Sequence, residues 1–139
     1  MDTNNCVLKL NHLIFDKVSF QRDGFRNENP VNFTFGFRFD IEEEYIVACI
    51  CVTGKKEDEY RFEVQASGHF MLSGEIERAD IFAKQNAAAI IFPYIRSQIT
   101  LLTSQPETEP VILPPVNIAR MVQEAEKSEV SENAVKDNL

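Results

Sequence analysis

Residues Val31 to Ile41 read VNFTFGFRFDI, and this stretch decides the fold class. Apolar and polar side chains alternate along it without a break, which is the pattern of a β-strand with one buried and one exposed face. The apolar positions are Val31, Phe33, Phe35, Phe37, Phe39 and Ile41. This is the clearest strand in the chain, and it predicts a sheet with one wet face.

Three further strands are predicted around it. VLKLNHLIFDKVSFQ, from Val7 to Gln21, is rich in β-forming residues and places apolar side chains on even positions. Leu13 and Phe15 break that alternation, which predicts a bulge, a bend, or burial of the second face against another subunit. YIVACICVT is apolar on both faces and should be central, and GKKEDE after it should be a hairpin turn. EYRFEVQA alternates again, and its outward positions are Glu59, Arg61, Glu63 and Gln65.

After Gly74 the apolar spacing becomes helical, and two helical segments are expected. Pro93 should lie in the first turn of the second segment or kink it. Asn117 is the predicted N-cap of a short third helix that begins near Ile118. Four strands followed by helices make an α+β protein, a four-stranded antiparallel sheet with helices packed on one face. We expect one domain, residues 1–127, and a flexible polar tail, residues 128–139.

Composition and charge limit the classes of partner. The net charge of −8 argues against nucleic acid, which requires a basic face, and against anionic membranes. The N-terminal stretch does not have the pattern of a signal peptide, and no apolar run is long enough to span a bilayer. A cytoplasmic location without membrane insertion is therefore expected.

Metal and catalytic motifs are weak in this sequence. Cys49 and Cys51 share one face of a strand, but a tetrahedral site needs about four ligands and no second cysteine pair follows. We expect buried, apolar cysteines and no metal or other cofactor. An enzyme would have to use His12 or His69 with Asp16, Glu63 or Glu75, and neither histidine lies in a motif with a nucleophile. The protein is therefore not expected to be an enzyme.

Three stretches in order resemble the SecB family of export chaperones. LKLNHLIFDKVSFQ resembles the family's first strand, EVQASGHFMLSGE the end of its fourth strand, and IIFPYIRSQITLL with LPPVN its long helix and the following loop. The resemblance covers about Leu8 to Met121. It implies an antiparallel sheet with helices on one face, assembled as a dimer of dimers, that holds unfolded chains before translocation without catalytic residues or a cofactor.

The resemblance also implies roles for particular residues. A client-binding groove is expected along the apolar strand, the crossover RDGFRNENP and the last helix, at Phe25, Phe33, Phe35, Phe37, Phe39, Ile118, Met121 and Val122. Plain core packing is the alternative for the strand phenylalanines, and it is favoured for Phe35 and Phe37. The long helix would supply an oligomer interface, in a tetramer or dimer, through Ile91, Ile95, Ile99 and Leu102. The family's acidic motor-docking positions match Lys17, Gln21, Arg61 and Glu63. Only Glu63 is acidic here, which weakens the case for docking on a translocation motor.

Two functions within the binding proteins remain open. The first is an ATP-independent holdase for many unfolded polypeptides, serving protein export. The second is a dedicated chaperone for one partner, of the kind found with toxin–antitoxin pairs. No phosphate-binding loop of the G-x-x-x-x-G-K-[ST] type is present, so neither function should depend on nucleotide.

Overall fold

The computed structural model describes the backbone of residues 7–73 and 80–137 and the side chains of residues 8–73 and 81–127. Its elements are β1 (Val7–Arg22), β2 (Val31–Ile41), β3 (Tyr45–Lys56), β4 (Tyr60–Ser73), α1 (Asp80–Leu102) and α2 (Ile118–Asp137). The predicted α+β class is confirmed. Glu75, which was considered as a catalytic residue, lies outside the described residues.

The four strands form one antiparallel sheet in the order β1-β4-β3-β2. β3 and β4 are central, as the apolar character of YIVACICVT predicts, and each buries alternate side chains completely. β2 is an edge strand, and its inward side chains are only half-buried. The sheet therefore has a closed centre and an incompletely covered margin along β2.

Strand β1 contains two β-bulges, one between Leu10 and His12 and one between Phe15 and Lys17. Each bulge inserts one residue and inverts which positions face the helices. Leu13 and Phe15 therefore face inward, whereas Ile14 is 49% exposed opposite Ser67 on the wet face. The predicted irregularity is confirmed, and the assignment of Ile14 to the same face as Leu8 is wrong.

The two helical segments expected after Gly74 are one helix, α1, with Pro93 in its interior. A proline inside a helix removes one hydrogen bond and costs roughly 3 kcal/mol. Complete burial of Ile91, Ile95 and Ile99 against the sheet offsets that cost. At Gly68 a Cβ atom would stand 2.6 Å from Ile91 Cδ1, so a glycine permits the close approach of α1 to β4.

Helix α2 begins as predicted. The Asn117 side chain accepts a hydrogen bond from the Arg120 amide at 3.0 Å, which is the N-cap geometry. The helix continues to Asp137, so it is longer than expected and its backbone extends past the Ser128 boundary assigned to a frayed tail.

The core lies between the sheet and the helices. It consists of the inward side chains of β3 and β4, one face of α1, Leu113 of the connection to α2, and Ile118 and Val122 of α2. Glu59 was predicted to point outward as the first residue of a strand. Instead it closes the turn that joins β3 to β4, and it is completely buried.

Candidate functional site

The candidate groove runs along β2. Phe33, Phe35, Phe37 and Phe39 are each half-buried on the inward face of this edge strand. Phe33 and Phe35 contact the core through Phe62 and Phe92, with ring centroids 6.3 Å apart in both pairs. The remaining surface of the four rings forms an apolar strip beside the helices.

Helix α2 packs beside this strip, on the inward face of the sheet. Met121 is half-buried there and packs against the core. Ile118 is 5% exposed and Val122 is 0% exposed. The structure therefore corrects the expectation for these two residues, because they lie in the core beneath the groove and present almost no surface to a ligand.

Lys84 joins the two helices next to the strip. Its ammonium forms an ion pair with Glu126 at 3.0 Å and lies 5.8 Å from the centroid of the Phe39 ring. The Gln85 amide donates a hydrogen bond to the Ala119 carbonyl at 3.0 Å. These contacts fix the side of α2 that faces the strip.

Phe25 lies in the crossover between β1 and β2, and its side chain is 95% exposed. A side chain exposed to this degree makes almost no contact with the core, so its whole ring is accessible to a ligand. The crossover that carries it is held in place by backbone contacts, since the amides of Asp23 and Gly24 donate to the Glu59 carbonyl at 2.8 and 3.1 Å. Phe25 is thus presented on a fixed loop.

A buried cluster lies beneath this loop. Lys56 Nζ is 2.8 Å from Glu59 Oε1 and donates to the Asn27 carbonyl at 2.8 Å. The Asn27 amide donates to Glu59 Oε1, also at 2.8 Å. Glu59 Oε2 is buried and has no hydrogen-bond partner among the described residues.

Burial raises the pKa of the Glu59 carboxyl, but its neighbours reverse that effect. The hydrogen bonds from Lys56 and from the Asn27 amide, together with the charges of Lys56 and Arg22, hold the pKa of Glu59 below its ordinary value. Glu59 is therefore ionised at neutral pH although it is removed from solvent.

The four candidate docking residues lie together on the outer face of β1 and β4. Lys17 pairs with Glu63 at 3.4 Å, and Arg61 pairs with Asp23 at 3.8 Å. Gln21 donates to the same Asp23 carboxylate at 3.4 Å. Both basic side chains of this patch, Lys17 and Arg61, are therefore paired with a carboxylate. The patch carries charges of both signs and is not the acidic surface that the resemblance implies.

The structure corrects the residues assigned to an oligomer interface. Ile91, Ile95 and Ile99 have no exposed surface in a single chain, because they face the sheet, and Leu102 is half-buried. The free apolar stripe of α1 is carried by other residues. Ile90, Tyr94 and Leu101 are 38%, 50% and 68% exposed, and Ile112 beside the helix is 76% exposed.

The described catalytic and metal-ligating candidates lie on the wet face of the sheet. The rings of His12 and His69 meet edge to face at 6.3 Å on the wet face, and Asp16 accepts a hydrogen bond from Ser67. Burial and the charge of Glu63 raise the pKa of the Cys51 thiol, which disfavours the nucleophilic thiolate. Within residues 7–73 and 80–137, no group of three or more His, Cys, Asp or Glu residues could hold a metal ion.

Sequence reasoning missed the buried cluster and the free stripe of α1. Alternation placed Glu59 outside, and only its position at a tight turn distinguished it from the other acidic residues. For α1, the apolar residues Ile90, Tyr94 and Leu101 lie at helical spacing, four and seven residues apart, next to the buried isoleucines at intervals of four. Periodicity alone does not tell which of two adjacent apolar stripes faces a sheet.

The sheet, the two helices packed against it and the half-buried phenylalanines along β2 define an α+β protein with apolar surface at one edge of its sheet. The chain belongs to the SecB family, whose model, described as preprotein translocase subunit SecB, matches residues 29–129, more than half of the chain. The resemblance found in the sequence is thereby confirmed. The family is one of chaperones and not of enzymes, and the expectation of a chaperone is confirmed at that level.

Individual relatives agree with this membership. An uncharacterised protein of Methanocaldococcus jannaschii is 31% identical over 138 residues, covering 88% of this chain and 86% of the relative. The Mycobacterium tuberculosis SecB-like chaperone, solved with a peptide from an antitoxin, superposes with a TM-score of 0.66 at 12% identity over 78% of this chain and 90% of that chain. A Streptococcus agalactiae protein of unknown function superposes with a TM-score of 0.53 at 13% identity, over 79% and 98% of the two chains. These structural likenesses concern the fold.

Among the described residues, neither helix combines the length and apolar character that crossing a membrane requires.

Proposed function

We propose that this chain is an ATP-independent holdase that binds unfolded polypeptides along the groove formed by β2, α2 and the crossover loop. The observation that carries the proposal is the strip of half-buried phenylalanines on β2, together with Phe25, which is 95% exposed in the crossover that leads into β2. An apolar strip that tolerates many sequences suits a holdase better than a pocket with fixed polar contacts.

The backbone of β2 supports the same function. Within the described sheet, β2 has β3 as a neighbour on one side only, so its other edge retains unpaired backbone donors and acceptors. An extended polypeptide binds such an edge through main-chain hydrogen bonds that do not depend on its sequence. The phenylalanines would then supply apolar contacts for alternate side chains of the client.

The experiment that tests this function is suppression of aggregation. A reduced, unfolded model substrate is mixed with increasing amounts of the protein, with and without ATP, and light scattering is followed. We expect scattering to fall as the protein approaches stoichiometric amounts, and nucleotide to have no effect. Unchanged aggregation at a stoichiometric excess would contradict the proposal.

A second function, a chaperone dedicated to one partner, is favoured by one observation. The M. tuberculosis protein with the same fold was solved with a peptide from an antitoxin. Capture from lysate separates the two functions, because a holdase retains many unrelated unfolded chains and a dedicated chaperone retains one stoichiometric partner.

Location, assembly and motor docking complete the proposal. The protein would act in the cytoplasm as a homo-oligomer, a tetramer in preference to a dimer, with the free stripe of α1 covered by a second copy. Docking on a translocation motor through Lys17, Gln21, Arg61 and Glu63 is the least supported part, because basic residues replace acidic ones there. Binding of the protein to an isolated motor, measured by calorimetry, tests that part separately.

A further inference from the structure

The crossover loop between β1 and β2 is attached to the rest of the molecule at two places. On one side, the side-chain amides of Asn27 and Asn29 both donate to the Glu57 carbonyl at 2.9 Å, next to the buried Lys56–Glu59 pair. On the other side, Arg22 donates to Thr108 Oγ1, and Arg26 pairs with Glu109 at 3.6 Å. Phe25 lies between these two sets of contacts.

The loop also lies unusually close to the β3–β4 turn. A Cβ atom on Gly24 would stand 2.2 Å from the Asp58 carbonyl oxygen, so only glycine permits this approach. Asp58 itself adopts a left-handed conformation, with φ 63°. The backbones of the turn and the loop are therefore in direct contact, with no space for a side chain at residue 24.

The Lys56–Glu59 pair is poorly suited to a role in stability alone. Both side chains are removed from water, with relative exposures of 10% and 0%, and Glu59 Oε2 has no hydrogen-bond partner among the described residues. Burying a charge pair with one oxygen unsatisfied costs free energy that an apolar pair of similar size would not cost. An apolar pair would not reproduce the two hydrogen bonds that the Lys56 and Glu59 side chains form with the backbone of Asn27.

We infer that Lys56 and Glu59 are positioning residues for client binding: their buried pair fixes the crossover loop so that Phe25 is held at the end of the phenylalanine strip. The inference rests on the proposed holdase function for its consequence, and on the contacts of Asn27 for its mechanism. A loop that is already ordered before binding loses little conformational entropy when the client binds. The free energy of binding is then not reduced by the cost of ordering the loop.

The chain contains no tryptophan, so Phe25→Trp places a single fluorescent reporter at the end of the loop. In this background, the double variant Lys56→Met with Glu59→Leu removes both buried charges and keeps the apolar volume. The matched control is Lys55→Met with Glu57→Gln, which removes the exposed pair of the same turn, 3.5 Å apart. Tryptophan anisotropy without client, the dissociation constant for a labelled unfolded peptide, and the melting temperature are measured for each.

We expect the buried-pair variant to melt at or above the temperature of its parent, with lower tryptophan anisotropy and about tenfold weaker peptide binding. The control should stay within about twofold of the parent in affinity and should leave the anisotropy unchanged. If the buried-pair variant does not fold, Gly24→Ala is used instead, because it displaces the same loop without altering the pair. Lower tryptophan anisotropy and weaker peptide binding are expected for this variant as well.

Two results would overturn the inference. One is a folded variant whose tryptophan remains as immobile as in the parent. The other is a mobile tryptophan with unchanged peptide affinity, because the loop would then be fixed for a reason unrelated to the client. Failure of the parent protein to bind any unfolded peptide would instead contradict the proposed function, and the anisotropy would still report whether the pair fixes the loop.

Discussion

At the scale of single residues, Phe25 and Glu59 depart most from ordinary preferences. The Phe25 ring is almost completely exposed to solvent, whereas the Glu59 carboxylate is completely buried. Both belong to the junction of the crossover loop and the β3–β4 turn, where the loop is held by hydrogen bonds to residues 56–59. The two exceptions therefore describe one local structure.

Phe25→Ala should weaken client binding with little change in thermal stability, because a side chain that is 95% exposed contributes little to the core. Met121→Ala should also weaken binding, with a larger loss of stability because it is half-buried. Fluorescence titration with a labelled unfolded peptide, run beside thermal melts, measures both quantities. Tyr45→Ala, at a half-exposed aromatic on the outer face, is the control. A Phe25→Ala protein that melts far below wild type and binds normally would make Phe25 a core residue.

The lowered pKa of Glu59 gives a pH dependence of definite sign. Because the folded pKa lies below the ordinary value of 4.5, the ionised carboxylate stabilises the native state above that pH. The contribution is lost as the pH falls through the folded pKa. The free energy of unfolding of wild type, measured by urea denaturation between about pH 5 and 3, should decline more steeply than that of Glu59→Gln. Parallel curves of unfolding free energy against pH for the two proteins would show that the pKa of Glu59 is the same in the folded and unfolded states.

At the scale of elements, the fold depends on how α1 lies across β4 and β3. The helix has two adjacent apolar stripes, and the sheet covers the one that contains Ile91, Ile95 and Ile99. The second stripe, at Ile90, Tyr94 and Leu101, remains accessible. One helix can thus serve the core of its own chain and still offer apolar surface to a second copy.

Ile95→Ala should lower the free energy of unfolding by about 2–5 kcal/mol, because it leaves a cavity in a close-packed interior. Tyr94→Ala, on the next residue of the same helix, should cost much less, since Tyr94 is 50% exposed. Chemical denaturation of the two variants at one protein concentration compares them. An equal cost would mean that both stripes are buried in the species that unfolds.

Gly68→Ala should separate α1 from β4. Its Cβ atom would stand 2.6 Å from Ile91 Cδ1 and 2.9 Å from the Phe70 ring, so the helix or the ring must move. Overpacking of this kind costs about 1–3 kcal/mol. Gly36→Ala is the matched control on β2, where the nearest atom is 3.9 Å away and alanine fits. Thermal melts that rank the two variants in the opposite order would contradict this account of the helix–sheet contact.

At the scale of the whole molecule, the free stripe of α1, with Ile112 beside it, is apolar surface that one chain leaves exposed. β1 is an edge strand that exposes Ile14 by 49% on the wet face and Val18 by 40% on the face that carries the helices. Exposed apolar surface of the kind found on α1 is typical of association between subunits.

We therefore expect multi-angle light scattering at micromolar concentration to show an oligomer, a tetramer in preference to a dimer. Tyr94→Glu with Leu101→Glu should yield a smaller species, because burying two carboxylates in an apolar interface is unfavourable. Gln123→Glu, an exposed position on α2, is the control for added charge. A wild-type monomer, or a variant oligomer of unchanged mass, would remove α1 from the interface.

The amino-acid sequence was sufficient to predict four strands, the central place of YIVACICVT, the hairpin at GKKEDE, the N-cap at Asn117 and the wet outer face. These features depend on local periodicity and on turn and cap chemistry, which neighbouring residues carry in full. The sequence also identified the phenylalanine strip and Phe25, because an aromatic in a charged, turn-rich segment is conspicuous without a structure.

Three features became visible only in the packed molecule: which apolar stripe of α1 faces the sheet, the burial of Ile118 and Val122 in the core, and the burial of Glu59. Each of these depends on contacts between residues distant along the chain. Asn27, for example, reaches Glu59 only because the crossover folds back onto the β3–β4 turn. Two bulges in β1 likewise reverse the inward face twice, and alternation cannot place an inserted residue. Local patterns specify elements, and the packing of those elements specifies which surface remains for function.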